Sequence, residues 1–341
     1  VYKLQSECGG IGICESRCTF RGVDGLTTVP SLLAGLNSGD IPLDSVPDNR
    51  LYSVASAIYL GGLKGPDELL GRLSTLQRDL LGFQKTLIEG DLAQAIDASE
   101  ALLHRSRSPE ERDAECEVRL RIERALIGAV DEEAIGAELR WCVDRLNAMM
   151  PESPLHGIAI LNLAAWHTSI GEVMMAMAIH ADISKEGGHL AEIRGLSRLE
   201  VGRILTTMGD LDPAMRHLWT ARDIFLANEM QAEAVIAGLE WLDLALEGVS
   251  DDAPTMSERI LDSEPRELPG DTWIDSNPLD VREVIETLLP ILMKDVSGEE
   301  RTDLGLIFDA AAILPETSWS LGLVERIDEI QDSRLLDVLQ S

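Results

Sequence analysis

Between residues 66 and 263 the apolar positions fall in helix-length segments, each bounded by its own start and stop signals. Ser108-Pro109-Glu110-Glu111 reads as a capping box with proline at the first helical position, opening a helix to 127. Asp131 is placed to cap the next, to 149. Ser153-Pro154 opens another to 170, and its partner over 173–185 stops at Gly187-Gly188. Helices are expected next at 190–208, 213–227, 230–247 and 254–261. Upstream, Asp48 is placed to cap a helix over 50–60, and Pro66 to open a long one reaching Glu89. Downstream, Asn277-Pro278 starts a helix to 295 in which Pro290 predicts a kink. Ser297-Gly298-Glu299-Glu300 is a further capping box leading a helix to 314, and helices over 318–331 and 334–340 end the chain. Residues 1–50 hold ten glycines or prolines and show no helical period. No dense Val/Ile/Thr run alternates with period two, so almost no sheet is expected.

The stretch 199–225 organises this pattern. Gly202 is expected to let two helices approach closely, and Gly209 to end the first helix in the left-handed conformation. Asp212 and Pro213 would open the second helix, while Ala214 and Ala221 keep its packing faces thin. Turn glycines recur at Gly90, Gly128, Gly171, Gly209 and Gly248, with spacings of 38, 43, 38 and 39. Alanine lies five residues later at Ala95, Ala176, Ala214 and Ala253; at the second turn that place holds Glu133, followed by Ala134. The small residue, Gly-Asp turn and two alanines resemble the tetratricopeptide repeat, in a variant longer than the minimal unit of about 34 residues. The resemblance covers residues 66–263 and is most complete at Gly209. It implies an all-α, right-handed α-solenoid of about five antiparallel helix pairs. The expected division is an N-terminal segment with a short helix (1–65), repeats (66–263), a linker (264–280) and a C-terminal helical cap (281–341).

Composition narrows the function. Apolar residues make up 45% of the 341 and aromatics only 4%, which favours helix-on-helix packing. The formal net charge is −31, from 60 acidic and 29 basic residues, and only five of the basic ones are lysine. Such a balance argues against direct nucleic-acid binding and against an anionic membrane surface. It fits either an acidic surface for a basic partner or a solvated surface in a salt-tolerant cell. Five scattered cysteines make no disulfide scaffold, and a reducing cytoplasm is expected. The longest apolar runs, 54–63 and 305–314, fall short of the ~18 residues of a membrane span. No basic region followed by a long apolar core marks a signal peptide.

Candidate chemistry is sparse. No zinc-protease, hydrolase, P-loop or kinase motif is present, so no enzyme activity and no cofactor are expected. Cys8, Cys14 and Cys18 lie close together, but their C-x5-C-x3-C spacing departs from a zinc knuckle and lacks a fourth ligand. His167 and His180 would face each other across the Gly171 turn, either sharing a metal with Glu172 or Asp182 or serving as core histidines. Trp141, Trp166, Trp219 and Trp241 read as packing anchors. Proteins similar to this one hold a peptide or a partner's helix on the concave face of the first helices. Counted back from the turn glycines, that groove would comprise Gln77, Gln84, Glu115, Ile122, Ala165, Thr168, Arg203, Thr206 and Leu242. Amides there suit a peptide backbone. Arg203 suits a carboxylate, or else pairs with Glu200 or Asp210. The expected function is therefore a scaffold or adaptor for a protein or peptide partner; the alternative is a metal-dependent regulator or enzyme built on the cysteines or the histidine pair.

Overall fold

The computed structural model describes residues 19–22, 25–46, 48–183, 188–228, 230–261, 275–292, 305–314, 327–329 and 336. An antiparallel hairpin of β1 (Thr19–Gly22) and β2 (Gly25–Thr28) pairs Thr19 with Thr28. It runs directly into α1 (Val29–Ser38). This hairpin and helix correct the reading of residues 1–50 as a stretch without periodic structure. The helices that follow are α2 (Asp48–Tyr59), α3 (Glu68–Arg72), α4 (Thr75–Glu89), α5 (Leu92–Arg107), α6 (Ala114–Leu126), α7 (Ile135–Met149), α8 (Pro154–Ser169) and α9 (Val173–Ala181). Then come α10 (Ala191–Met208), α11 (Leu211–Ala227), α12 (Gln231–Ala245), α13 (Met256–Leu261), α14 (Pro278–Leu292) and α15 (Gly305–Ile313). Most of the expected linker, the capping box at 297–300 and most of the last two expected helices lie outside the described residues.

The chain forms two compact units, residues 1–193 and 194–341, with the boundary in the first turn of α10. In the first unit, helices α4 to α9 each pack on the next in sequence, while α2 also touches α4, α4 touches α6, and α6 touches α8. Adjacent helices therefore run in a row, as in a helical repeat. Leu76, Leu80, Leu81 and Phe83 of α4 fill the first part of this core with Val54 and Ala55 of α2. Ile158, Ile160 and Leu163 of α8 fill the second part with Ile179 of α9 and Ile193. In the second unit one core runs from Leu199 to Leu314. Within it α11 packs on α12, and α14 and α15 pack on α12 in turn. Trp219 and Trp241 meet edge to face at 5.0 Å, and the Arg222 guanidinium lies 3.7 Å over the Trp219 ring.

The turn glycines behave as the periodic pattern requires, up to the last. Gly90, Gly128, Gly171 and Gly209 have φ of 86°, 75°, 82° and 79°. At Gly209 the N–H groups of Gly209 and Asp210 reach back to the carbonyls of Thr206 and Leu205, closing the end of α10. Ala95, Ala176 and Ala214 are fully buried. A Cβ on Gly202 would come within 2.8 Å of the Leu218 side chain, so the missing side chain is what lets α11 approach α10. Gly248 breaks the series. It is not left-handed; its carbonyl accepts the Ser276 N–H at 2.8 Å beside a parallel bridge from Val249 to Ser276.

Several helix starts differ from expectation. The long helix expected from Pro66 is broken into α3 and α4, because Ser74 and Gln77 form a reciprocal capping box. Helix α6 begins at Ala114, where the Asp113 carboxylate accepts the N–H groups of Glu115 and Cys116 at 3.0 Å each. Glu111 does not complete the box at Ser108, because Arg105 holds its carboxylate in a two-pronged ion pair. Asp131 makes no side-chain cap; a 3-10 turn (Glu132–Ala134) precedes α7. Asp212 lies inside α11 and binds Arg259 at 2.5 Å and Arg216 at 3.2 Å. Ser153 caps α8 as expected, accepting the His156 N–H at 3.2 Å.

Because Gly209 is left-handed, Gly209→Val places a β-branched residue where it is strained. It is expected to cost more than ~1 kcal/mol of stability, with Gly209→Asn costing less. Thermal unfolding followed by circular dichroism measures both, and an unchanged melting temperature for the valine variant would refute the role.

Candidate functional site

The expected groove residues fall on the helices that precede the turn glycines. In the first unit Gln84, and Glu115 through Arg119, belong to a buried polar group that spans three helices. Tyr52 Oη on α2 donates to Gln84 Oε1 on α4 at 2.8 Å, and Gln84 Nε2 donates to Glu123 Oε1 on α6 at 3.3 Å. One turn earlier on α6, the Arg119 guanidinium stacks 4.7 Å over the Tyr52 ring. Its Nε and Nη2 donate to Glu115 Oε1 at 3.2 and 2.7 Å. Tyr52, Gln84, Arg119 and Glu123 are all buried. Buried polar groups are stable only when paired, so these contacts fix how α2, α4 and α6 sit together.

Three of the nine positions are buried. Gln84 is buried inside this chain, Ile122 is 1% exposed, and Leu242 is fully buried in the second unit's core. None of the three presents a side chain at the surface. Gln77, Glu115, Ala165, Thr168, Arg203 and Thr206 are half-buried. The Gln77 amide is held by the cap at Ser74, and Glu115 by Arg119. The hydroxyls of Thr168 and Thr206 donate to the carbonyls of Ala164 and Gly202, one turn back on their own helices.

Arg203 on α10 links two helices of the second unit. Its Nε donates to both oxygens of Glu240 on α12 at 3.0 Å each, and its Nη2 to Glu240 Oε1 at 2.6 Å. Nη1 donates to Glu200 Oε1 at 2.6 Å. Burial works to lower the arginine pKa, but the bonds to Glu240 and the charge of Glu200 outweigh it and raise it. Burial pushes the Glu200 carboxyl up, against the pull of Arg203. The lone groove cation of the sequence is thus a bidentate strut between α10 and α12 with two carboxylates already in place.

The histidine pair divides. His167 Nδ1 lies 2.7 Å from Glu172 Oε2, and its ring meets Trp166 edge on at 4.7 Å. His180 is buried in α9. Among the described residues no three His, Cys, Asp or Glu side chains gather as a metal site. Cys8, Cys14 and Cys18 lie outside the described residues. Cys116 and Cys142 are buried thiols whose pKa burial raises, in the case of Cys142 to about 12, so neither is poised as a nucleophile. An open depression of about 550 Å³ lies at the end of α5, lined in part by His104, Arg107 and Arg124. Its two arginines are already engaged, Arg107 by Glu117 and Arg124 by Ser99 Oγ and the Ala129 carbonyl.

A second histidine pair was not visible in the sequence, because 33 residues separate its members. The rings of His156 and His189 lie 5.3 Å apart, both buried. His156 Nδ1 accepts the Glu152 N–H at 3.1 Å, while His189 Nε2 is buried with no hydrogen bond. Burial holds both imidazoles below their usual pKa, and His189 pushes His156 further down. Asp182 and Glu152 pull His156 upward, and Glu152 does the same for His189.

Two predictions follow from these groups. Arg203→Ala leaves Glu200 and Glu240 facing each other without a counter-charge. It should lower stability by about 1–3 kcal/mol, and Arg203→Ala/Glu240→Gln should cost less than the two single changes added together. Additive denaturation free energies would show that the strut carries no coupling. For the buried histidines, protonation is harder in the folded than in the unfolded chain. Their contribution is complete above the unfolded pKa, about 6.5, and is lost as pH falls below it. The melting temperature of His189→Gln should therefore fall less steeply than that of the wild type between pH 7.5 and pH 5; parallel profiles would contradict this.

Comparison of the chain with known protein families, with curated proteins and with solved structures gives no match.

Proposed function

We propose that this protein is a non-enzymatic scaffold that holds a protein or peptide segment against the first helices of tetratricopeptide-like hairpins. In this reading the chain is a right-handed solenoid of about five antiparallel pairs that works in the cytoplasm. It does not itself bind nucleic acid. The observation that carries it is the buried chain Tyr52–Gln84–Glu123, which ties α2, α4 and α6 into one fixed array. A surface held rigid before its partner arrives spares the ordering cost of binding. Beyond that array, α8 offers the small, half-buried Ala165 and Thr168, where a peptide backbone can come close. No helix among the described residues is long and apolar enough to cross a membrane.

The test is selection of peptides from a random library on the full chain. Selected peptides should bind Ala165→Arg and Thr168→Arg at least ~10-fold more weakly than wild type, a loss of ~1.4 kcal/mol. Peptides indifferent to both substitutions would refute the first-helix assignment.

A further inference from the structure

Helix α9 departs from the rule that a surface helix turns its polar side to water. Its nine residues, VMMAMAIHA, include no charged side chain. One face is spent on the core: Ala176, Ile179 and His180 are buried. The other holds Met174, Ala178 and Ala181, spaced i, i+4 and i+7 and all exposed. Met174 is 72% and Met175 46% exposed, and Ile170 on the preceding turn is 48% exposed. Isolated exposed apolar residues are ordinary, but a contiguous set on one helix face marks a surface that is covered in use. Methionine is unbranched and polarisable, and suits a face that adapts to another apolar surface.

Charge identifies what covers it. Residues 146–183 contain no lysine or arginine; their charged residues are Glu152, Glu172 and Asp182. Glu172 stands at the start of α9, with its side chain 55% exposed, and Asp182 at its end. Two carboxylates therefore bracket the methionine face about 15 Å apart, at ~1.5 Å per helical residue. A second copy would bring the same carboxylates and a net charge of −31 against them, and an anionic lipid surface would be repelled for the same reason.

We propose that the outer face of α9 docks a cationic amphipathic helix, its apolar stripe on Met174 and Met175 and its Lys or Arg residues beside Glu172 and Asp182. The proposal concerns a different surface from the first-helix face and does not rest on it.

The probe is a fluorescein-labelled 18-residue peptide with leucine at helical i, i+3, i+4 and i+7 positions and lysine elsewhere. Its binding to the full chain is read by fluorescence anisotropy. A scrambled peptide of identical composition serves as control. Met174→Ser/Met175→Ser leaves the charge unchanged, and because both side chains are exposed its melting curve should match wild type. The proposal expects at least a tenfold loss of affinity for that variant, and at least a tenfold preference for the amphipathic over the scrambled peptide. Equal binding by wild type and the methionine variant would reduce the effect to general attraction to an acidic protein and overturn the proposal. Affinity kept in the methionine variant but lost in Thr168→Arg would also overturn it, while favouring the first-helix surface. Self-association abolished by the methionine substitutions, measured by sedimentation, would make a second copy the occupant instead.

Discussion

A side chain entering the space of a missing Cβ is the contact on which the rest of this structure depends. The Gly202 and Leu218 contact has counterparts throughout the chain. Trp166 of α8 occupies the place of a Cβ on Gly136 of α7, and Phe225 of α11 that of Gly195 on α10. Leu288 of α14 fills the same place over Gly238 of α12. Each is a glycine inside a helix, which costs up to about 1 kcal/mol relative to alanine in isolation. The cost is offset because a large side chain from a later helix gains close contact on all sides. Helices α7, α10 and α12 are thus each fitted to one particular neighbour. Stability in such a row is shared between neighbours rather than held by any single hairpin.

That interlock leaves little room for polar groups between helices, and arginine meets the constraint. A guanidinium reaches across a helix pair, binds a carboxylate through two N–H groups and lays its flat face on an aromatic ring. Arg121 of α6 donates one N–H to Glu138 of α7 and stacks over Trp141 of the same helix, and Arg222 of α11 stacks over Trp219 of its own helix and donates one N–H to Glu283 of α14. Arg105 of α5 joins Asp79 of α4 to Glu111. With 60 acidic residues to 29 basic ones, a carboxylate lies within reach of these inter-helix arginines and many carboxylates remain over. Exposed pairs of this kind contribute little each, whereas those sealed between helices also fix orientation.

What the sequence made legible follows from the range of each interaction. The left-handed glycines and buried alanines are local consequences of backbone sterics, and four of the five turns were readable from them. Caps were less legible, because a carboxylate near a helix start is equally available to a distant arginine. Arg259 takes Asp212 from 47 residues away, and nothing in the local sequence announces it; Glu111 is taken by Arg105, six residues before it. Burial of some groove positions has a related reason. Gln84, Ile122, Ala165 and Arg203 each lie six residues before a left-handed glycine. At Gln84 and Arg203, however, the side chain reaches another helix of its own unit and becomes a cross-link. Leu242 had no such anchor, since Gly248 does not make the turn from which it was counted.

The same separation of roles bears on α9. Its inner face, through Ala176 and Ile179, already satisfies the interlock with α8. The outer methionines contribute little to folding, because side chains mostly in water gain little burial. Nor can a shortage of polar residues explain them, in a chain where charged residues make up 26%. Lysine or glutamate at position 174 or 175 would favour the helix about as well as methionine and would be better hydrated. Folding therefore leaves the composition of that face undetermined, and its uniform lack of charge is what the proposed docking accounts for.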